Sequence, residues 1–313
     1  MTVRMAIRTI WYFGIYFTLL LLSSGHTMAG ENESVPPGKQ IKVFVSIAPQ
    51  AYLVERVGGD HVDVSIMVGP GQSPATYEPR PKQMAGLGRT SLYFRIGVPF
   101  ENVWIKRISK ANPQIEVVDT RHGISLLPMK SHGHRDDGVI HGEKRKKHPD
   151  KGLKDPHVWL SLKLAKVQSK NIYDALIKKD PLHKNNYQKS LEAFHQELDE
   201  LDTAITHTLQ DLKGRSFMAF HPAWGYFARD YGLEQIAIEI EGKEPSAKSL
   251  TNLIRQAKAE DIRVIVVQKQ FSEKSAQAVA RAIGGRVITL DPLGKNYLDN
   301  IKKIADAFAE ALR

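Results

Sequence analysis

The sequence predicts an α/β protein with two βαβ lobes, each built on a parallel sheet, bridged by one long rigid α-helix. Short β-branched runs alternate with helical patterns in both halves of the 313-residue chain, as in parallel βαβ units. Between the halves runs one apolar stripe with steps of three and four residues. The length also suits two domains of ordinary size better than a single core.

Four strands are predicted in the first half and four in the second, each run bounded by glycine or proline. The first-half strands are Ile41–Ile47, Val62–Val68, Ser91–Ile96 and Ile115–Val118, with helices at Tyr52–Val57 and Gln83–Leu87. The second-half strands are Ser216–Phe220, Gln235–Ile240, Arg263–Val267 and Arg286–Leu290. Their helices lie near Trp224–Tyr231, Ser246–Ala259, Ser272–Ile283 and Leu298–Leu312. The shared pattern indicates one architecture used twice.

The bridging helix is predicted from about Pro181 to Leu212, with Asp180-Pro181 as its start signal and Gly214 as its stop. A helix of about 30 residues spans roughly 45 Å, the length of a whole domain, and leaves little room for wide hinge closure. A coiled-coil dimer seam is the alternative interpretation of the stripe. The stripe consists of Tyr187, Leu191, Phe194, Leu198, Leu201, Ile205, Leu209 and Leu212.

The amino terminus is typical of a secretory signal. Arg4 and Arg8 precede the apolar run Ile10–Leu22, and a small-residue cleavage site lies near Ala29. An uncleaved anchor is the alternative, although the apolar run is shorter than the roughly 20 residues of a spanning helix. The predicted organisation is a signal peptide (1–29), a linker (30–40), an N-terminal lobe (41–180), the linking helix (181–214) and a C-terminal lobe (215–313).

Composition excludes several classes of protein and site. The chain has no cysteine, so it has no disulfide framework, no thiolate metal site and no lipidated cysteine to hold it on a membrane. The net charge of +10 is concentrated in the leader and in residues 144–154, which contain no aromatic residue. A nucleic-acid-binding face would interleave the two, so no nucleic-acid partner is expected. Export without lipidation indicates a freely diffusing periplasmic protein, expected to be a monomer.

Residues 122–154 interrupt the α/β pattern with a polar, glycine-punctuated segment that is predicted to be a flexible loop of the N-terminal lobe. Five of the chain's 12 histidines fall here, among them His132 and His134. The segment is either a solvated linker or a weak, exposed arm that collects metal ions.

Three polar residues follow strands or open helices where ligands of α/β proteins bind. His221 follows the strand Ser216–Phe220, Asp291 follows Arg286–Leu290, and His157 ends the loop at the start of a helix. Two imidazoles and a carboxylate would form a nitrogen/oxygen metal site. The alternatives are a helix lead-in for His221 before Pro222 and an Asx turn for Asp291.

Four segments together resemble the signature motifs of the zinc/manganese ABC transporter substrate-binding proteins. They are SPATYEP (73–79), DPHVWL (155–160), MAFHPAWGYFARDYGL (218–233) and DPL (291–293). The resemblance implies two α/β lobes bridged by one long helix, with the metal in the cleft between them. It implies that His157, His221 and Asp291 are ligands, that Zn²⁺ is the transported ion with Mn²⁺ as the alternative, and that the partners are an inner-membrane ABC permease and its ATPase. The His-rich insertion is similar to that of zinc-selective members.

One position departs from that family pattern. Many members have a histidine ligand where this chain has Ala75, which offers no ligand atom. A water, a loop histidine such as His132 or His134, or nearby Glu78 or Gln50 would then complete the shell. Glu78 is equally interpretable as a structural residue of the turn that includes Tyr77.

Two further functions are alternatives to metal transport, and the protein is expected not to be an enzyme. A zinc hydrolase would need a general base near the metal, and no His-Glu-x-x-His motif is present. A receptor for a metal chelate would need an aromatic-lined cleft, for which Trp104, Trp159, Trp224 and Tyr226 are the candidates. Packing between strand and helix is the expected role of Trp159 and Trp224. A manganese or iron receptor of the same fold is the remaining alternative.

Overall fold

The β-branched runs of both halves form strands, and the two sets of strands form two separate parallel sheets. The computed structural model describes residues 39–129, 154–239, 245–270 and 273–313. In these ranges both sheets are four-stranded and have the same order, in which the second strand lies at one edge, followed by the first, third and fourth. This confirms the predicted α/β fold class.

The first sheet follows the sequence prediction closely. Its strands are β1 (Ile41–Ile47), β2 (Val62–Val68), β3 (Leu92–Arg95) and β4 (Glu116–Asp119). Its helices are α1 (Ala48–Gly58), α2 (Pro81–Leu87) and α3 (Glu101–Ala111). β1 and β2 match their predicted limits, whereas α3 was not predicted, although its apolar residues include Trp104, Ile105 and Ile108.

Two helices lead from the first sheet to the second, α4 (Leu162–Lys179) and α5 (Lys184–Leu209). The 26 residues of α5 span about 39 Å. Short 3₁₀ turns at Pro181–His183 and Gln210–Leu212 extend it at both ends, which gives the full predicted range. Every predicted stripe residue is buried except Leu201, which is partly buried. Because α1, α4 and α9 (Tyr297–Leu312) pack on α5 within this chain, the stripe does not serve as a coiled-coil dimer seam.

The second sheet carries the remaining elements. Its strands are β5 (Ser216–Ala219), β6 (Glu234–Ala237), β7 (Val264–Gln268) and β8 (Arg286–Leu290). The helices, besides α9, are α6 (Gly225–Tyr231), α7 (Ala247–Ala259) and α8 (Glu273–Ile283). No helix in the described ranges combines the length and the apolar character needed to cross a bilayer.

Two residues within the predicted loop range 122–154 pair with each other. Pro128 and Lys154 form an isolated antiparallel bridge. Residues 130–153, with His132 and His134, lie outside the described residues, as do the predicted signal peptide and most of the linker.

Candidate metal centre

The segment that carries His157 is fixed by contacts with both halves of the chain. The backbone N–H of Asp155 donates to the carbonyl of Leu127 (2.9 Å), and the Tyr226 hydroxyl donates to the carbonyl of Asp155 (2.9 Å). At Gly225 a Cβ atom would lie 2.9 Å from the Asp155 carboxylate, so α6 can approach this closely only with glycine there. These contacts place His157 beside the second sheet.

His221 takes its position from the pairing of two parallel strands. β5 and β6 pair in a register that sets Ala219 opposite Ala237, and both strands are followed two residues later by a polar side chain. His221 therefore lies beside Glu239, and the Nδ1 of His221 is hydrogen-bonded to the Glu239 carboxylate. The backbone N–H of Glu239 also donates to the carbonyl of Phe220 (3.0 Å), which continues the strand pairing to this point.

The imidazoles of His157 and His221 face each other across a short gap. Their Nε2 atoms are 3.3 Å apart, and the rings meet edge to face with centroids 5.1 Å apart. The Asp155 carboxylate accepts hydrogen bonds from the Nδ1 (2.7 Å) and the backbone N–H (2.9 Å) of His157. Since a carboxylate only accepts, the proton of each neutral ring lies on Nδ1 and each Nε2 presents a lone pair. Two lone pairs are thus directed into one gap.

Burial keeps one of these rings in its neutral form. His157 is 8% exposed, and this burial lowers the pKa of its imidazole below the ordinary value, against the opposing effect of the Asp155 carboxylate. The neighbouring His221 also lowers the pKa of His157, whereas the Glu239 carboxylate raises it. A neutral imidazole is the form that binds a metal ion.

Asp291 lies nearby but does not join the two imidazoles in the structure. β7 separates β8 from β5, so two strand spacings, about 10 Å, lie between the carboxyl ends after which Asp291 and His221 follow. Asp291 Oδ1 accepts from the backbone N–H of Leu293 (2.9 Å), which is the Asx turn noted as its alternative role. The turn is tied to the His157 segment, since Trp159 Nε1 donates to the carbonyl of Pro292 (2.8 Å).

The candidates for the position of Ala75 lie in different surroundings. Ala75 and Glu78 are exposed, and the segment is held by Tyr77, whose hydroxyl donates to Gln83 Oε1 (2.5 Å). Gln50 is buried, and its amide is engaged with the backbone N–H of Ser46 (3.1 Å) and the Thr120 hydroxyl. Both polar atoms of the Gln50 side chain are thus already hydrogen-bonded at the first sheet. Tyr77 therefore has the structural role that was considered for Glu78.

The geometry argues against a metal-chelate receptor and against a zinc hydrolase. Trp159, Trp224 and Tyr226 are at most 2% exposed, so they pack in the core and do not line a cleft for a metal chelate. The carboxylates of Asp155 and Glu239 contact the Nδ1 side of each imidazole, away from the gap between the Nε2 atoms. They orient the rings and do not reach a water at that gap as a general base would.

Sequence reasoning missed the roles of Asp155 and Glu239. Asp155 was part of a recognised motif, but its contact depends on a turn of the backbone that residue types alone do not show. Glu239 was placed inside a strand, because the prediction extended that strand to Ile240. The strand-end rule would have selected Glu239 had the pairing of β5 with β6 been known.

Comparison with known proteins agrees with this fold and shows the family. The family described as zinc-uptake complex component A, periplasmic (ZnuA), matches residues 43–311. A putative metal-binding protein of Chlamydia trachomatis is 31% identical over 292 residues, covering 93% of this chain and 98% of the relative. The high-affinity zinc uptake system protein ZnuA of Bacillus subtilis is 28% identical over 314 residues, covering 96% of each chain.

Solved structures give the same result. A crystal structure of ZnuA is similar with a TM-score of 0.79 and 39% sequence identity, covering 88% of this chain and 100% of that one. The likeness extends over both sheets and the connecting helices, because nearly all described residues are included.

Proposed function

Because the chain belongs to the periplasmic zinc-uptake complex component A family, we propose that it is an extracytoplasmic receptor that binds Zn²⁺ and delivers it to an ABC importer. The ion is held between His157 and His221, at the carboxyl end of the second sheet. It is the transported substrate and takes part in no reaction, so the protein is not an enzyme.

The distance between the two Nε2 atoms carries this proposal. Tetrahedral zinc with Zn–N bonds of about 2.0–2.1 Å sets two nitrogen ligands about 3.3–3.4 Å apart. The two Nε2 atoms are 3.3 Å apart. A carboxylate that accepts a hydrogen bond from the Nδ1 of each ring is the usual partner of a zinc-bound histidine. The spacing and the partners of the pair therefore fit one zinc-sized ion.

Asp291 is the proposed third ligand. Its turn is hydrogen-bonded to Trp159, two residues from His157, and a movement of this turn on metal binding would have to carry its second carboxylate oxygen to the imidazoles. His132, His134 and Glu78 are the proposed auxiliary ligands for the position of Ala75. Nitrogen ligands favour zinc, whereas manganese prefers more oxygen ligands, so a manganese or iron receptor of the same fold is the second candidate.

The proposal is tested by calorimetry on the mature, chelator-stripped protein with Zn²⁺, and with Mn²⁺ as competitor. Tight zinc binding that a tenfold excess of Mn²⁺ does not displace supports a zinc receptor. Displacement by Mn²⁺ selects the second candidate, and no binding of either ion overturns the function. Growth of a strain lacking its own copy in zinc-limited medium tests delivery to the permease and its ATPase.

The proposed location is the periplasm, reached through a signal peptide that is cleaved near Ala29. With no cysteine to be lipidated, the mature protein diffuses freely as a monomer. Amino-terminal sequencing of the exported protein gives the cleavage point directly.

Replacing Glu239 by glutamine is expected to lower zinc affinity about 10- to 100-fold without unfolding the protein. The amide keeps the shape of the side chain but loses the charge that holds the Nδ1–H of His221 and orients its ring. Calorimetry measures the change, and the matched control is Glu234→Gln, which replaces an exposed residue at the start of β6, the strand that Glu239 follows. Equal affinity of Glu239→Gln and the native protein would contradict the assigned orienting role.

Zinc binding is expected to weaken in acid, with His157 protonating only below its ordinary pKa. Since burial lowers this pKa from 6.5, more than half of the His157 rings are neutral at pH 6.5, where an unperturbed histidine is half protonated. Protons therefore compete with zinc for His157 mainly below that pH. An NMR titration of the His157 ring protons in the metal-free protein measures the midpoint. A midpoint above 6.5 would contradict the expectation.

A further inference from the structure

A second group of side chains suited to a metal lies at the amino end of the first sheet. Among the described residues, only His61, Asp180 and His183 form a trio with one ligand atom each within 4.8 Å of the others. The two imidazoles are stacked, with ring centroids 3.8 Å apart and planes 24° from parallel. Asp180 Oδ2 contacts His183 Nδ1 (2.6 Å) and accepts from the Tyr187 hydroxyl (2.7 Å).

Two short turns from distant parts of the chain bring these residues together. His61 ends the 3₁₀ turn Gly59–His61, where the positive φ of Gly59 (52°) suits glycine. Gln40 Nε2 holds this turn by donating to the carbonyl of Asp60 (3.0 Å). Asp180 and His183 flank the turn between α4 and α5, and the backbone N–H of Asp180 donates to Leu176 (2.8 Å). The turn that carries His61 and the turn that carries Asp180 and His183 are therefore both held by hydrogen bonds.

This trio is remote from the His157–His221 pair. His61 immediately precedes Val62, which pairs with Ile41, the first residue of β1. It thus lies at the amino end of the first sheet, whereas the pair lies at the carboxyl end of the second. The seven residues of β1 alone span about 23 Å. One ion cannot be shared between the two places.

The carboxylate of the trio is charged and buried, and both imidazoles reach the solvent. Burial alone would raise the pKa of Asp180, but hydrogen bonds from Tyr187 and His183 outweigh it, so the pKa is lowered. The side chain of Asp180 is 5% exposed, whereas that of His183 is 32% exposed. An ion can therefore approach from the imidazole side and meet the fixed negative charge of Asp180. The same charge offsets the positive amino-terminal end of α5.

We propose that His61, Asp180 and His183 form a second site for a transition-metal ion of the zinc class. Two imidazoles and one carboxylate are a ligand set that zinc accepts, with the remaining coordination position open to water. The ion takes the place of the proton between His183 Nδ1 and Asp180 Oδ2, and that proton moves to His183 Nε2 or to solvent. A rotation of the His61 ring about its side-chain bonds directs its nitrogen to the same point.

The test removes the first site and counts the ions that stay bound. In a His157→Ala/His221→Ala background, zinc bound per protein is measured by equilibrium dialysis, with His61→Gln, His183→Gln and His207→Gln added singly. The histidines of residues 130–153 are the same in all these proteins, so their contribution cancels. We expect His61→Gln and His183→Gln each to lower the affinity of one equivalent of zinc about tenfold or more. His207→Gln, an exposed histidine of α5, changes nothing.

Equal zinc binding in the background, His61→Gln and His183→Gln proteins overturns the proposal. Circular dichroism melting of the metal-free variants shows whether each is folded, and if His183→Gln is not, His61→Gln alone decides. Diffraction data at the zinc absorption edge give a second readout. A peak of anomalous scattering among the three side chains supports the site, and a zinc-saturated crystal without that peak contradicts it.

Discussion

Replacing His221 by alanine is expected to weaken zinc binding at the His157–His221 pair about 100-fold or more. In many metal sites, removing a residue that only hydrogen-bonds to a ligand lowers metal affinity about 10- to 100-fold. This variant removes a ligand itself, together with its contact to Glu239. The ion then has only the imidazole of His157, because the second nitrogen ligand, 3.3 Å from the first, is lost. Calorimetry of the chelator-stripped variant measures the loss.

The matched control for this variant is His207→Ala, in which an exposed histidine of α5 is removed. It separates the effect of the pair from general loss of histidine. To keep the trio His61, Asp180 and His183 out of the measurement, both variants are also made with His61→Gln. If His221→Ala binds zinc as tightly as His207→Ala, the ion is not held by the pair and the proposed function is wrong.

Much of the fold was predictable because its signals are local. β-branched runs gave β1, β2 and β8 at their observed limits, and the apolar stripe gave α5 with its flanking turns. The order of strands was not predictable, since nothing along the chain states that β1 lies between β2 and β3. That order is decided by which hydrophobic faces are covered by helices, a property of the whole fold.

The candidate site was predictable in part for the same reason. His157 and His221 were selected from their places at a loop end and a strand end, and the structure brings their Nε2 atoms to 3.3 Å. The partners Asp155 and Glu239 depend on a local turn and on strand register, which residue types do not specify. The role of Asp291 stays a prediction. Whether its carboxylate reaches the ion depends on how its turn moves when metal binds.

Trp159 links the His157–His221 pair to the Asp291 turn and to the core. Its indole Nε1 donates to the carbonyl of Pro292 (2.8 Å), its ring lies 5.1 Å from that of His157, and its own carbonyl accepts from the Tyr297 hydroxyl (2.7 Å). At 2% exposed it is among the largest fully buried side chains. One residue therefore fixes both the position of His157 and the start of α9.

Replacing Trp159 by alanine is expected to lower the free energy of unfolding by about 3–5 kcal/mol, the usual cost of removing a buried tryptophan. The cost has two parts, a cavity in the core and a buried Pro292 carbonyl that loses its donor. Urea denaturation of the metal-free protein measures it. Trp104→Ala is the matched control, because this partly buried tryptophan of α3 stacks with Arg107 (4.7 Å) away from the pair and should cost much less.

Trp159→Phe separates packing from the hydrogen bond. The phenyl ring keeps most of the apolar volume but donates nothing to Pro292, so we expect a smaller loss of stability, about 1–3 kcal/mol. If the Asp291 turn supplies a zinc ligand, this folded variant should also bind zinc more weakly, because the turn is no longer held beside His157. Native zinc affinity in Trp159→Phe, together with native affinity in Asp291→Asn, would exclude Asp291 from the coordination shell and leave the two imidazoles as the ligands from the described residues.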